Sequence, residues 1–215
     1  MVGVFIIEVA LGIYTLVRYK MSAITRLAAS ILFLLAIFQL SEFQVCGRSS
    51  TEAIIWSRVG YIAIALLPAL ALHVVFMIAR KKSRMLLGLA YGTAVAFAVV
   101  FGSHAGAFTG HQCAGNYAIF QLVPPIGGLF FVYYYFWLAV GIGFSLYFSI
   151  KANERTRQAL ILLVFGYLSF LLPTGIVNAI DPQTIAGIPS IMCGFAVIFS
   201  LILSLTIVPT VLRKK

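Results

Sequence analysis

The stretch that decides the fold reads IIWSRVGYIAIALLPALALHVVFMIA over residues 54–79, and Arg80-Lys81-Lys82-Ser83-Arg84 follows it directly. As a helix, the run is long enough to cross a hydrocarbon core of about 30 Å with some tilt. Its apolar residues are continuous, not alternating, which favours a helix over a barrel strand. The basic cluster closing it marks a short connection held on the cytoplasmic side.

Working outward, further apolar runs occupy 2–17, 22–41, 85–107, 128–150, 159–180 and 189–209. The second and fourth recruit flanking residues to reach spanning length, and Glu8 interrupts the first. Composition agrees: 62% of the 215 residues are hydrophobic and only 9% charged. A soluble domain carries about a quarter charged residues and cannot hide so much apolar surface. The expected architecture is an all-α polytopic membrane protein, a single seven-helix transmembrane domain over residues 1–215.

The charges sort with these runs. Arg18, Lys20 and Arg26 fall in the first connection, Arg80, Lys81, Lys82 and Arg84 in the third, and Lys151, Arg155 and Arg157 in the fifth. With the tail Arg213-Lys214-Lys215 they account for thirteen of the fifteen basic residues. Arg48 and Arg58 remain at the other set of ends, beside Glu8, Glu42, Glu52 and Asp181. The positive-inside rule then places the N-terminus outside and the C-terminus in the cytoplasm of a cell membrane. The net charge of +10 is thus a topology signal. Nucleic-acid binding would need a contiguous basic face. Met1-Val2-Gly3-Val4 lacks a positive n-region, so no cleavable signal peptide is expected.

Residues for chemistry are few. His73 lies on the third helix and His104 and His111 in or near an outer loop, so they cannot face one haem and resemble no zinc pattern. No lysine lies within a span, which excludes a retinal Schiff base. No nucleophile elbow, HExxH or phosphate-cradling loop is present. The expectation is a non-enzymatic protein without cofactor or metal, whose partners are the lipid bilayer and other proteins.

Cys46 and Cys113 both fall in outer loops and form either a disulfide or two free thiols; Cys193 reads as a buried small hydrophobe. Glu8, Glu42 and Arg58 lie near the outer helix ends. An intramembrane acid costs a few kcal/mol and calls for a partner, and Arg58 is the nearest cation in depth to Glu8. These residues are either a structural ion pair or the floor of an outward-facing pocket. Such a pocket would add Trp56, Tyr61, the run Tyr133-Tyr134-Tyr135 and Asn178, although aromatics at this depth also form interface belts. Pro68 and Pro173 interrupt the third and sixth helices and are packing features or flex points. Gly141, Gly143 and Gly166 mark close helix contacts.

Ile55-Trp56-Ser57-Arg58-Val59-Gly60-Tyr61-Ile62-Ala63, then Leu67-Pro68-Ala69-Leu70, resembles the seven-helix N-terminal sensory region of certain bacterial and archaeal histidine kinases. Arg155-Thr156-Arg157-Gln158-Ala159 resembles the basic start of that family's sixth helix, and Val208-Pro209 with a basic tail its last helix. The likeness covers roughly residues 50–215 and extends to the first two helices only in hydropathy. It implies a receptor-like domain that passes an outer signal through helix seven to a cytoplasmic module. No phosphoacceptor-histidine, ATPase or cyclase segment follows Lys215, so kinase activity is not carried over. The expectation is a sensor whose output domain was removed or is a separate partner. A non-catalytic subunit of a larger membrane complex is the alternative. A small-solute transporter is the third reading, for which inverted repeats and polar broken helices at the midplane are not evident.

Overall fold

The computed structural model describes residues 1–47, 50–104, 106–115 and 117–212, without the side chains of Ser50 and Thr51. Arg48 and the tail Arg213-Lys214-Lys215 lie outside the described residues. Helices α1 (Val2–Arg18), α2 (Ala23–Cys46), α3 (Ser50–Ile78) and α4 (Arg84–Ser103) come first. A hairpin of β1 (Phe108–Ala114) and β2 (Tyr117–Leu122) precedes α5 (Pro124–Ile150) and α6 (Glu154–Ile180). A 3₁₀ turn (Pro182–Gly187) leads into α7 (Ile188–Ile202), which continues through a π turn (Leu203–Ile207) into α8 (Val208–Leu212).

Local chemistry sets the boundaries. Tyr19 adopts extended backbone after α1. The Ser22 hydroxyl then caps α2 by accepting from Thr25 N–H at 3.1 Å, and the Asn153 carbonyl caps α6 by accepting from Thr156 N–H at 3.0 Å. At the end of α3, Arg80 takes the left-handed conformation at φ 53°. Its N–H and that of Lys81 donate back to the Met77 and Phe76 carbonyls, a cap usually built on glycine. Pro124-Pro125 opens α5 and Pro182 opens the 3₁₀ turn, where a missing N–H costs little.

Among the described residues six helical stretches are long and apolar enough to cross a membrane: Ala23–Cys46, Glu52–Ile78, Arg84–Ser103, Pro124–Ile150, Glu154–Ile180 and Pro182–Leu212. This is the signature of a multi-pass membrane protein. Helix α1, at 17 residues, is about 25 Å long and falls short of that length.

Three sequence expectations are corrected. The segment expected to extend the fourth helix to residue 107 leaves the helix at Ser103, and an antiparallel hairpin follows instead of an irregular loop. In β2, Ala118 and Phe120 turn inward with the two-residue period of a strand, too short a signal to stand out between helical runs. Helices α2, α5 and α6 also run past their hydropathy limits, to Cys46, from Pro124 and from Glu154. Hydropathy marks the apolar zone, whereas caps and prolines mark the helix ends. Gly143 faces open space, so it is not a close-contact glycine.

The bundle packs around α3, which touches α2, α4, α5, α6 and the hairpin. Glycine permits the closest approaches. A Cβ on Gly60 would sit 3.0 Å from Ser41 of α2, and one on Gly166 would sit 2.7 Å from the Phe199 ring of α7. Helix α4 lies at the rim, buried only at Ala90, Ala94 and Phe101. Ser22, Arg80, Asn153 and Val211 share one cleft, which gathers the basic connections at one end of the bundle. The hairpin, the 3₁₀ turn and the start of α7 occupy the opposite, hairpin end.

Candidate functional site

The hairpin end holds a half-open cavity of about 350 Å³, bounded by α3, β2, α5, the 3₁₀ turn and α7. That volume is at the small end of the range for small-molecule sites. Tyr61, Phe120, Phe130, Tyr134, Met192 and Cys193 form much of its wall, and among the described residues no charged side chain lines it. A second, smaller space of about 30 Å³ shares Tyr134, Met192 and Cys193 with the first.

Tyr61 organises the wall. Its ring meets those of Phe38, Phe101, Phe108, Phe120 and Phe130 at centroid distances between 5.1 and 6.4 Å. Four of these are edge-to-face contacts, to Phe38, Phe101, Phe108 and Phe120, the geometry in which the ring quadrupoles attract. Phe108 and Phe120 come from the two hairpin strands, so Tyr61 fixes the hairpin over the bundle. Among the described residues the Tyr61 and Tyr134 hydroxyls have no protein hydrogen-bond partner. Tyr133 is different: its hydroxyl donates to the Ala65 carbonyl at 2.6 Å. That carbonyl neighbours Ile64, whose usual helical donor is missing because Pro68 has no N–H.

Three more ties hold the hairpin. Cys46, at the end of α2, is disulfide-bonded to Cys113 of β1 with Cα atoms 5.8 Å apart. The Ala118 N–H donates to the Ser190 hydroxyl of α7 at 3.1 Å. Tyr117 packs against Gly187, where a Cβ would come within 2.8 Å of the ring. The 3₁₀ turn below is braced by Thr184, whose hydroxyl donates to the Asn178 Oδ1 at 2.8 Å, and by Asp181 Oδ1, which accepts from Gln183 N–H.

The structure therefore separates the residues that the sequence grouped. Tyr61 and Tyr134 line the cavity. Asn178 does not reach it and instead supports the turn that carries Ile185 and Ala186 into its wall. Trp56, on α3, is half-buried against the core. Glu8 and Arg58 do not pair, contrary to expectation. Arg58 Nη1 donates to the Gly102 carbonyl at 3.5 Å, toward α4, while Glu8 Oε1 accepts from the Ser200 hydroxyl of α7 at 3.5 Å. Matching depth was correct as a criterion but blind to the azimuth around the bundle. Pro68 and Pro173 both sit within continuous helices.

A second feature is a buried polar seam between α1, α2 and α7. Glu8, Thr15, Gln39, Glu42, Ser190, Ser200 and Ser204 are each at most 3% exposed. The Thr15 and Ser204 hydroxyls are 2.8 Å apart, and Ser204 lies in the π turn. Gln39 and the three serines were missed from sequence. The available signal was spacing: Gln39 precedes Glu42 by three residues, and Ser190, Cys193, Val197, Ser200 and Ser204 recur every three or four residues along one helix face. The strand, turn and α7 contributions to the cavity carried no comparable signal. No protein-family model matches this chain, and no curated protein matches it either.

Proposed function

We propose that the chain is a seven-helix receptor-type domain of a cell membrane, with its N-terminus outside and its C-terminus in the cytoplasm. In this reading α1 is the seventh span, its short apolar length completed by its flanks. The cavity beneath the hairpin takes a small, uncharged and largely apolar ligand. The observation that carries the reading is the composition of its wall: largely aromatic and aliphatic, with no charged side chain among the described residues, and with Gln121 and tyrosine hydroxyls as polar groups available to a ligand. A charged ligand would be desolvated there without compensation.

Helix α7 supplies the route for a response. Met192 and Cys193 stand in the cavity wall, and the same rod continues through the π turn to the basic end. A ligand that favours one packing of α7 over another shifts the populations of the two, and Pro68 and Pro173 are candidate flex points. The likeness to kinase sensory regions supports a cytoplasmic output module or partner as the receiver. Native mass spectrometry of the purified protein tests the pocket. A neutral small molecule should leave with the wild-type chain and be absent from Met192→Trp, which fills the cavity. Equal loading of both proteins would place the ligand elsewhere.

A second reading, an accessory subunit of a larger membrane complex, is favoured by α4. Its outward face presents Met85, Leu89, Val95 and Val99, all exposed, and it packs mainly on α3. Purification from native membrane separates the two readings. Stoichiometric companions held along α4 favour the subunit, and an isolated chain favours the receptor.

A further inference from the structure

The basic end of the bundle carries a cleft of about 540 Å³ between the α3–α4 connection, the last turn of α5 and the start of α6. Arg80, Lys81, Lys151 and Thr156 line one part of it, and Tyr147 and Ile150 another. Among the described residues no acidic side chain lines it, and Glu154 borders the adjoining cleft instead. Three cations are thus gathered around one space without a carboxylate, although their mutual repulsion favours dispersal.

Arg80 differs from the other two. It holds the left-handed conformation that closes α3, at φ 53°, where glycine carries no steric cost. A glycine there would keep both backbone bonds, from the N–H groups of residues 80 and 81 to the Met77 and Phe76 carbonyls. What arginine adds at this position is its guanidinium, whose planar fork matches a phosphate.

The other part of the cleft is apolar. Tyr147 and Ile150 are 64% and 77% exposed, and they end a stripe on α5 that includes Leu129, Val132 and Phe136, all exposed. Gly143 belongs to the same face and leaves it open. Steps of three, four and seven residues keep these positions on one side of the helix. A small anion from water, or an acidic protein segment, would engage the cations and leave the stripe bare. A phospholipid engages both.

We propose that Arg80, Lys81 and Lys151 hold the phosphate of an anionic glycerophospholipid whose acyl chains lie along Tyr147, Ile150 and the exposed face of α5. Basic pockets at the membrane boundary select anionic headgroups, because a zwitterionic one brings its own cation against those of the protein. The site lies at the opposite end of the bundle from the ligand cavity. It needs only a membrane boundary at the basic end, so it stands under either reading of the function.

The test uses the full chain in uncharged detergent micelles, with phosphatidylglycerol or phosphatidylcholine added at equal concentration. Phosphatidylglycerol should raise Tm saturably by about 3–6 °C, the shift expected when the lipid exceeds its Kd some tenfold. Phosphatidylcholine should leave Tm unchanged. Lys151→Gln should weaken phosphatidylglycerol binding about fivefold in a native mass spectrometry titration, the share of one basic residue at an anionic surface. Arg80→Gly relieves the backbone strain, so Tm without lipid should stay equal or rise, while the phosphatidylglycerol shift falls to about half or less. Lys20→Gln, which changes an exposed lysine of the α1–α2 connection, should leave the shift intact. Equal stabilisation by both lipids overturns the proposal, as does a shift that Lys20→Gln weakens as much as Arg80→Gly. A full shift from inorganic phosphate, or from glycerophosphoglycerol without chains, overturns it as well.

Discussion

The cavity under the hairpin and the seam between α1, α2 and α7 are incomplete in opposite ways. The cavity has space but little polarity: its wall is largely apolar, with Gln121 and the tyrosines Tyr61, Tyr134 and Tyr135 as its main polar residues. The seam is closely packed, with Glu8, Ser200 and Ser204 fully buried, yet it retains buried polar atoms without partners. In an apolar surround a void costs lost dispersion contacts, while an unpaired polar group costs its whole desolvation. A bundle tuned for stability alone would fill the first and replace the second with leucine. Keeping the first points to binding in the cavity.

The sharpest way to break the contrast is to remove the residue that shapes the cavity. Tyr61→Ala deletes the ring that five aromatics contact and should destabilise the fold by about 3–5 kcal/mol. Equilibrium unfolding in mixed micelles measures this, and a loss below 1 kcal/mol would show that the aromatic cluster relaxes around the gap. Next, Cys46→Ser with Cys113→Ser should cost about 2–4 kcal/mol. The loss should be confined to the hairpin end, so that hydrogen exchange rises in residues 108–122 but not in the seam. Uniform exchange across both regions would mean that the hairpin is integral to the whole core.

Smaller effects sharpen the comparison. Tyr133→Phe removes the hydroxyl that serves the Ala65 carbonyl next to the proline gap and should cost about 1 kcal/mol, read as a modest drop in Tm. In the seam, Glu8→Leu with Gln39→Leu should be nearly neutral or stabilising, since replacing buried polar groups together removes their desolvation cost. A loss above 2 kcal/mol in equilibrium unfolding would show that the seam is structural cement.

Much of the bundle was legible because apolar length and basic clustering are local properties of the chain. The run 54–79 and its Arg80–Arg84 terminator, repeated in the other runs, suffice to mark long apolar helices with their basic connections gathered at one end. The same reasoning found Glu8 and Glu42, because an acid within an apolar run is conspicuous wherever it points. It also found Tyr61 and Tyr134 at the right depth. It paired Glu8 with Arg58 because depth is the only coordinate that a run of hydropathy encodes.

Azimuth came only from the tertiary structure. Which face of each helix meets which neighbour depends on packing among elements far apart in sequence, such as Glu8 with Ser200 or Tyr61 with Phe120. The hairpin was invisible for a related reason: its strands are short, and what holds them is the Cys46–Cys113 bridge, the Tyr61 ring and the Gly187 platform. The amino-acid sequence determines how many apolar rods there are and which of their ends are basic. Their rotation against one another decides where a cavity opens and where polar atoms are stranded, because side-chain direction is fixed by contact and not by composition.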